Sequence, residues 1–157
     1  MELDLKKKNL REVNEKLQNL DRKQNQRDFT ITNPEGNHAI CAGLTEEMNV
    51  IIKGHVGYYC AGMNQNAKIT INGNAGTGVA ENMMSGRVHV KGNASQSAGA
   101  TAHGGLLVID GDASSRCGIS MKGVDIVVKG SVGHMSGFMS QSGNLIVCGA
   151  VSYTHLR

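Results

Sequence analysis

The side chains with which this chain could do chemistry are few: six histidines, four cysteines, a pair of nearby aspartates and a set of spaced lysines. His55, His89, His103 and His134 show neither the H-x-x-x-H nor the H-E-x-x-H spacing that would place two imidazoles on one metal, so no zinc site is specified. Cys41, Cys60, Cys117 and Cys148 contain no C-x-x-C pair, and the N-terminus MELDLKKKNL lacks the apolar stretch of a signal peptide. The expectation is a cytoplasmic protein with reduced thiols. Asp110 and Asp112, with Lys53, Lys91 and Lys129, are the residue types that a polysaccharide-cleaving enzyme would need on one face, namely carboxylates for a cation and a base for the proton. Gly76-Thr-Gly78-Val-Ala-Glu81, after KITIN, imitates a dinucleotide fingerprint, but it ends on Glu and no helical pattern follows.

The elements that must position these residues come from two different kinds of sequence. Of the 157 residues, 21 are Gly and one is Pro, whereas average usage would give about 11 glycines. Residues 1–28 hold 8 of the 16 Lys and Arg, 6 of the 13 Asp and Glu, and no glycine. There Leu10, Val13, Leu17 and Leu20 follow helical spacing opposite Glu12, Glu15 and Lys16, predicting a short amphipathic helix over 9–20. A helix so short must dock its apolar stripe, either over an end of the main domain or onto another subunit.

The rest is a repeat. Gly54, Gly73, Gly92, Gly111, Gly130 and Gly149 follow one another at intervals of 19 residues. Four residues before each stand Val50, Ile69, Val88, Leu107, Ile126 and Leu145; two before stand Ile52, Ile71, Val90, Ile109, Val128 and Val147. Twelve aliphatics out of twelve, alternating with mostly polar neighbours, specify a short strand with one buried face. Small residues recur two, three and seven positions after the glycine, predicting tight corners, several with positive φ. One unit cannot bury its own apolar face, so the units must stack. The predicted fold is all-β: a right-handed parallel β-helix with 19-residue coils. A degenerate unit over 30–48 keeps the register through Cys41-Ala-Gly and Cys60-Ala-Gly, which makes about six and a half coils.

The repeat also sorts the chemical residues. The four histidines fall at four different repeat positions, and the lysines form a sparse row on alternate coils. Cys41 and Cys60 share a position and are expected to stack on adjacent coils as small buried hydrophobes. Met63, Met83, Met84 and Met121 lie on one side of the coil, either filling gaps in the core or forming a pliable partner-binding face. Tyr58 and Tyr59 are adjacent, so in an extended segment at least one faces outward as a candidate interface anchor. Net charge is +3 with a pI near 8.7, too mild and scattered to mark a nucleic-acid or anionic-membrane partner. No run approaches the roughly 18 apolar residues of a membrane span.

The pattern G-x-x-G-x-x-x-G, as in Gly130-Ser-Val-Gly133-His-Met-Ser-Gly137, resembles the GXGXG domain that closes the large subunit of glutamate synthase, a fold similar also to a subunit of formylmethanofuran dehydrogenase. The stretches 54–67, 73–86, 95–105 and 116–139 most resemble the stand-alone small version, a subunit of the split methylamine–glutamate N-methyltransferase. The resemblance covers roughly 29–149. It implies a structural subunit without catalytic, cofactor-binding or metal-binding residues of its own. Its partners would be a glutamine-amidotransferase-like subunit and a subunit carrying FMN and an iron–sulfur cluster. In that complex methylamine and glutamate give N-methylglutamate and ammonia. Domain organisation is expected as 1–28 helical, 29–149 β-helix, and 150–157 a truncated or non-native tail, because Leu156 breaks the small-residue pattern.

Overall fold

The computed structural model describes residues 1–151. Its elements run β1 (Glu2–Asp4), α1 (Leu10–Gln18), β2 (Asp28–Thr32), β3 (Asn49–Lys53), β4 (Lys68–Ile71), β5 (Arg87–Val90), β6 (Leu106–Ile109), β7 (Lys122–Val128) and β8 (Ser142–Val147). All eight strands form one sheet in chain order, and every neighbouring pair is parallel. Parallel neighbours that are also consecutive in the chain require each connection to travel a full turn. The molecule is therefore a β-solenoid of about six turns.

From β3 onward the register follows the repeat: Val50 lies opposite Ile69, Ile69 opposite Val88, Val88 opposite Leu107, and so on to Leu145. The aliphatics two and four residues before each glycine line the interior and are buried through Val128, while Leu145 and Val147 at the last coil are half-buried. A second bridge row, Val56, Ala75, Ala94, Ala113, Val132 and Val151, forms where the sequence places small apolar residues. The expectations for residues 152–157, including Leu156, lie outside the described residues.

The repeat glycines form a column of their own. Gly92 N–H donates to Gly73 O, Gly111 to Gly92, and Gly130 to Gly111, each at 3.0 Å. A Cβ on Gly73 would stand 2.5 Å from Gly54 O, and one on Gly130 2.6 Å from Gly111 O. Of the six, Gly54 alone has positive φ (139°), so the others are glycine because successive coils touch there. Positive φ instead occupies the arc: Ala61, Ala80, Gly99, Gly118 and Gly137 are all left-handed, as are Tyr59, Gly78, Ser97, Arg116 and Met135 two residues earlier.

The first coil departs from the repeat. Phe29 pairs with Val50, a spacing of 21 rather than 19. Ala61 N–H bonds Ile40 O just as Ala80 N–H bonds Cys60 O, so Ile40 is the residue above Cys60. The expected stacking of Cys41 on Cys60 is thus corrected: Cys41, with φ 60°, takes the left-handed place above Ala61. The longer unit displaces the register by one before it reaches the cysteines.

Helix α1 closes this end. Asn9 Oδ1 accepts the Glu12 N–H at 2.8 Å, and Asn9 Nδ2 reaches Glu12 Oε1 at 3.1 Å, which caps the first turn. Val13, Leu17 and the following Leu20 are buried in the core. Asn14 donates to Ala39 O and accepts from Cys41 N–H, both at 2.9 Å, and Gln18 donates to Ala42 O at 2.8 Å. These amides satisfy backbone groups that a preceding coil would otherwise satisfy. Residues 1–28 are more than a helical segment, since β1 extends the sheet by pairing Leu3 with Ile31.

Candidate functional site

The outward side chains of the sheet form three parallel rows. One holds Asp28, Asn49, Lys68, Arg87, Leu106 and Asp125; the middle one holds Thr30, Ile51, Thr70, His89, Val108 and Val127. The third follows the strand ends as Lys53, Asn72, Lys91, Asp110 and Lys129. On this face three residues from different repeats meet. His89 Nε2 lies 2.8 Å from Asp110 Oδ1, and Lys129 Nζ lies 3.1 Å from the same oxygen. The hydrogen bond from His89, followed by that from Lys129, holds the Asp110 carboxyl below the usual carboxylate range.

Their repeat positions differ, which is why the spacing of histidines alone did not reveal the cluster. His89 reaches diagonally from the middle row to the next coil's end row, a contact that parallel registration permits. With Asp110 ionised, the proton of a neutral His89 is assigned to Nε2, leaving Nδ1 as an acceptor. Such a pair orients an imidazole. A lyase-like arrangement would also need a second carboxylate, and Asp112 does not supply it: its Oδ1 accepts the Ser131 N–H at 2.8 Å, round the corner.

That corner bond belongs to a ladder. His55 Nδ1 accepts the Asn74 N–H, Asn74 Oδ1 that of Asn93, Asn93 Oδ1 that of Asp112, and Ser131 Oγ that of Ala150, at 2.8 to 2.9 Å. Each residue directly follows a repeat glycine. The sequence signal was there in the run His, Asn, Asn, Asp, Ser: all carry an acceptor close to Cβ. His55 is thereby a structural residue, as is His38, whose Nδ1 accepts the Tyr58 N–H at 2.8 Å.

The remaining candidates separate by burial. Tyr58 is 60% exposed and stacks on His38 with ring centroids 4.4 Å apart. Tyr59 is half-buried with φ 61°, so the segment is not extended, and its hydroxyl accepts from Asn82 Nδ2 at 3.3 Å. Met63 and Met84 are exposed, whereas Met83 and Met121 fill the interior. An interface role for Met83 and Met121 is therefore corrected. They sit ten residues past their glycines, where the chain faces inward, and Met63 and Met84 sit one residue to either side of that position. Gly76 and Gly78 donate their N–H groups to Val56 O and Gln96 O at 3.0 Å, so the dinucleotide-like run is spent on coil stacking.

Cys41, Cys60 and Cys117 are buried and free, and Cys148 is free and exposed. Burial pushes the Cys41 and Cys117 thiols up to about 12 and the Cys60 thiol well above its ordinary value. Among the described residues no group of three or more His, Cys, Asp or Glu is placed to hold a metal ion, and no helix is long and apolar enough to cross a membrane.

Comparison with known proteins finds a match of 56% identity over 57 residues to Protein GlxC of Rhizobium meliloti (strain 1021), covering 36% of this chain and 25% of that protein. The match thus spans about a quarter of the length of that curated relative. No family model matches the chain, and no solved structure matches it.

Proposed function

We propose that this chain is a non-catalytic structural subunit of a glutamate-synthase-like complex, in which an amidotransferase-like subunit and an FMN/iron–sulfur subunit carry the chemistry. The observation that carries the reading is the glycine column, in which residues at the GXGXG positions seat one coil against the next. Glycines that look like cofactor loops in the sequence work here as contacts between layers. The 57-residue match to Protein GlxC supports a glutamate-synthase-related assignment. Within that group the sequence most resembles the small subunit of methylamine–glutamate N-methyltransferase. A stacked solenoid suits such a role because its sides are long, regular docking surfaces.

The test is reconstitution. Purified alone, the chain is expected to show no flavin or iron–sulfur absorbance and no turnover. Co-expressed with the two catalytic subunits, it is expected to elute with them as one assembly that converts methylamine and glutamate to N-methylglutamate and ammonia. Stoichiometric FMN binding by the isolated chain would overturn the reading.

A further inference from the structure

Lys68 and Arg87 are directly opposed in the β4–β5 register. Lys53 and Lys91 lie on the same face at the ends of β3 and β5. None of the four makes an ion pair among the described residues. The acids that border the face are already engaged: Asp28 accepts from Asn49 Nδ2 at 2.9 Å, Asp125 from Asn144 Nδ2 at 2.8 Å, and Asp110 holds His89 and Lys129. Like charges directly opposite one another weaken a sheet, so Lys68 facing Arg87 carries a cost that no ion pair among the described residues offsets.

Of the four cations, Lys68 and Arg87 line a groove of about 320 Å³ together with Ile51, Thr70 and His89. Ile51 is 41% exposed there. An exposed isoleucine beside an arginine, with polar side chains around them, fits the mixed apolar and polar make-up of a protein interface. The groove is open along the sheet, whereas small-molecule sites enclose most of their ligand. Strands β3 to β5 carry no Phe, Tyr or Trp on which a nucleobase could stack.

We infer that this groove docks a segment of a partner protein that presents an Asp or Glu carboxylate between Lys68 and Arg87. The inference deepens the subunit reading and rests on it for the existence of a partner. A carboxylate there takes charge-assisted hydrogen bonds from both cations and relieves their repulsion.

The probe is a short fluorescent peptide alternating Glu and Thr, with its Gln counterpart, titrated onto the full chain. The wild type is expected to bind the Glu peptide and not the Gln peptide. Lys68→Glu is the informative variant, because the carboxylate it introduces would pair internally with Arg87. It is expected to raise the melting temperature while weakening peptide binding about tenfold or more. Lys23→Glu, which reverses an exposed cation elsewhere, is expected to leave binding unchanged. No binding of the Glu peptide, an equal loss in Lys23→Glu, or tighter binding of a single-stranded oligonucleotide at the same residues would overturn the proposal. A second arm separates the two readings. If the wild type fails to assemble with the catalytic subunits, the subunit reading fails; if it assembles and Lys68→Glu assembles equally well, the groove proposal fails.

Discussion

The side-chain oxygen of Asn93 that accepts the Asp112 N–H also occupies the space where a Cβ on Gly111 would stand. One atom thus ties two features of the repeat together. From Gly73 onward, the ladder residue after one glycine closes over the glycine of the next coil, so the polar ladder and the glycine column depend on one another.

Gly111→Ala is accordingly expected to destabilise by about 2 kcal/mol or more, because neither Asn93 nor the Gly92 carbonyl can withdraw without breaking an inter-coil bond. Gly36→Ala meets nothing within 4 Å and suffers only from its φ of 71°, so about 1 kcal/mol is expected. Urea denaturation of both variants checks the difference. An Asn93→Ala, Gly111→Ala double variant that shows no coupling would contradict the shared space.

The left-handed arc predicts the opposite sign for glycine. Met63 is exposed with φ 56°, a conformation that costs a non-glycine residue about 1 kcal/mol. Met63→Gly is expected to leave stability unchanged or raise it by up to about 1 kcal/mol, after the entropy cost of glycine is offset. A clear loss on thermal melting would show that the Met63 side chain packs more tightly than its exposure indicates.

Asp110 governs an acid limb. Its folded carboxyl is held below the ordinary value of 3.8, so it contributes stability above that pH and loses it as pH falls through the lower folded value. Melting temperatures measured from pH 6 to pH 3 are expected to fall more steeply for the wild type than for Asp110→Asn, with the divergence beginning near pH 4. Parallel curves would remove the His89 and Lys129 interactions from any role in stability.

Thiol reactivity reads the core directly. In native protein at pH 8, Cys148 is expected to react promptly with a chromogenic disulfide reagent. Cys41, Cys60 and Cys117 are expected to react only at the rate of unfolding, since burial both shields them and keeps them protonated. Four fast thiols, or a Cys41–Cys60 disulfide formed on mild oxidation, would contradict the displaced register of the first coil.

The closing helix is the last test. Asn14 makes both of its bonds to the backbone of the first coil, so Asn14→Leu leaves Cys41 N–H without a partner and Ala39 O with the Ala42 N–H alone, and is expected to cost about 1 to 3 kcal/mol. Hydrogen exchange is expected to rise first at residues 39 to 43, with the coils beyond Gly73 protected as before.

The solenoid itself was legible in the residues because its determinants are periodic and local. Twelve aliphatics at two repeat positions and a glycine every 19 residues leave one economical way to bury the apolar face. The same periodicity assigned the inward rows, and the spacing of Leu10, Val13 and Leu17 located the helix. It could not say which surface that helix would cover. Nor could it align the first coil, because extra residues shift its register and only backbone pairing reveals where they are absorbed: Ile40, rather than Cys41, ended above Cys60. The meeting of His89, Asp110 and Lys129 was hidden for a related reason. Diagonal contacts join different repeat positions on different coils, so they belong to the stacked surface and to no segment of the chain. What the sequence by itself determined was the layer and its inward face. The tertiary structure alone decided which outward side chains became neighbours, because stacking brings His89 and Lys129, each about one coil away in the chain, to 2.8 and 3.1 Å from Asp110.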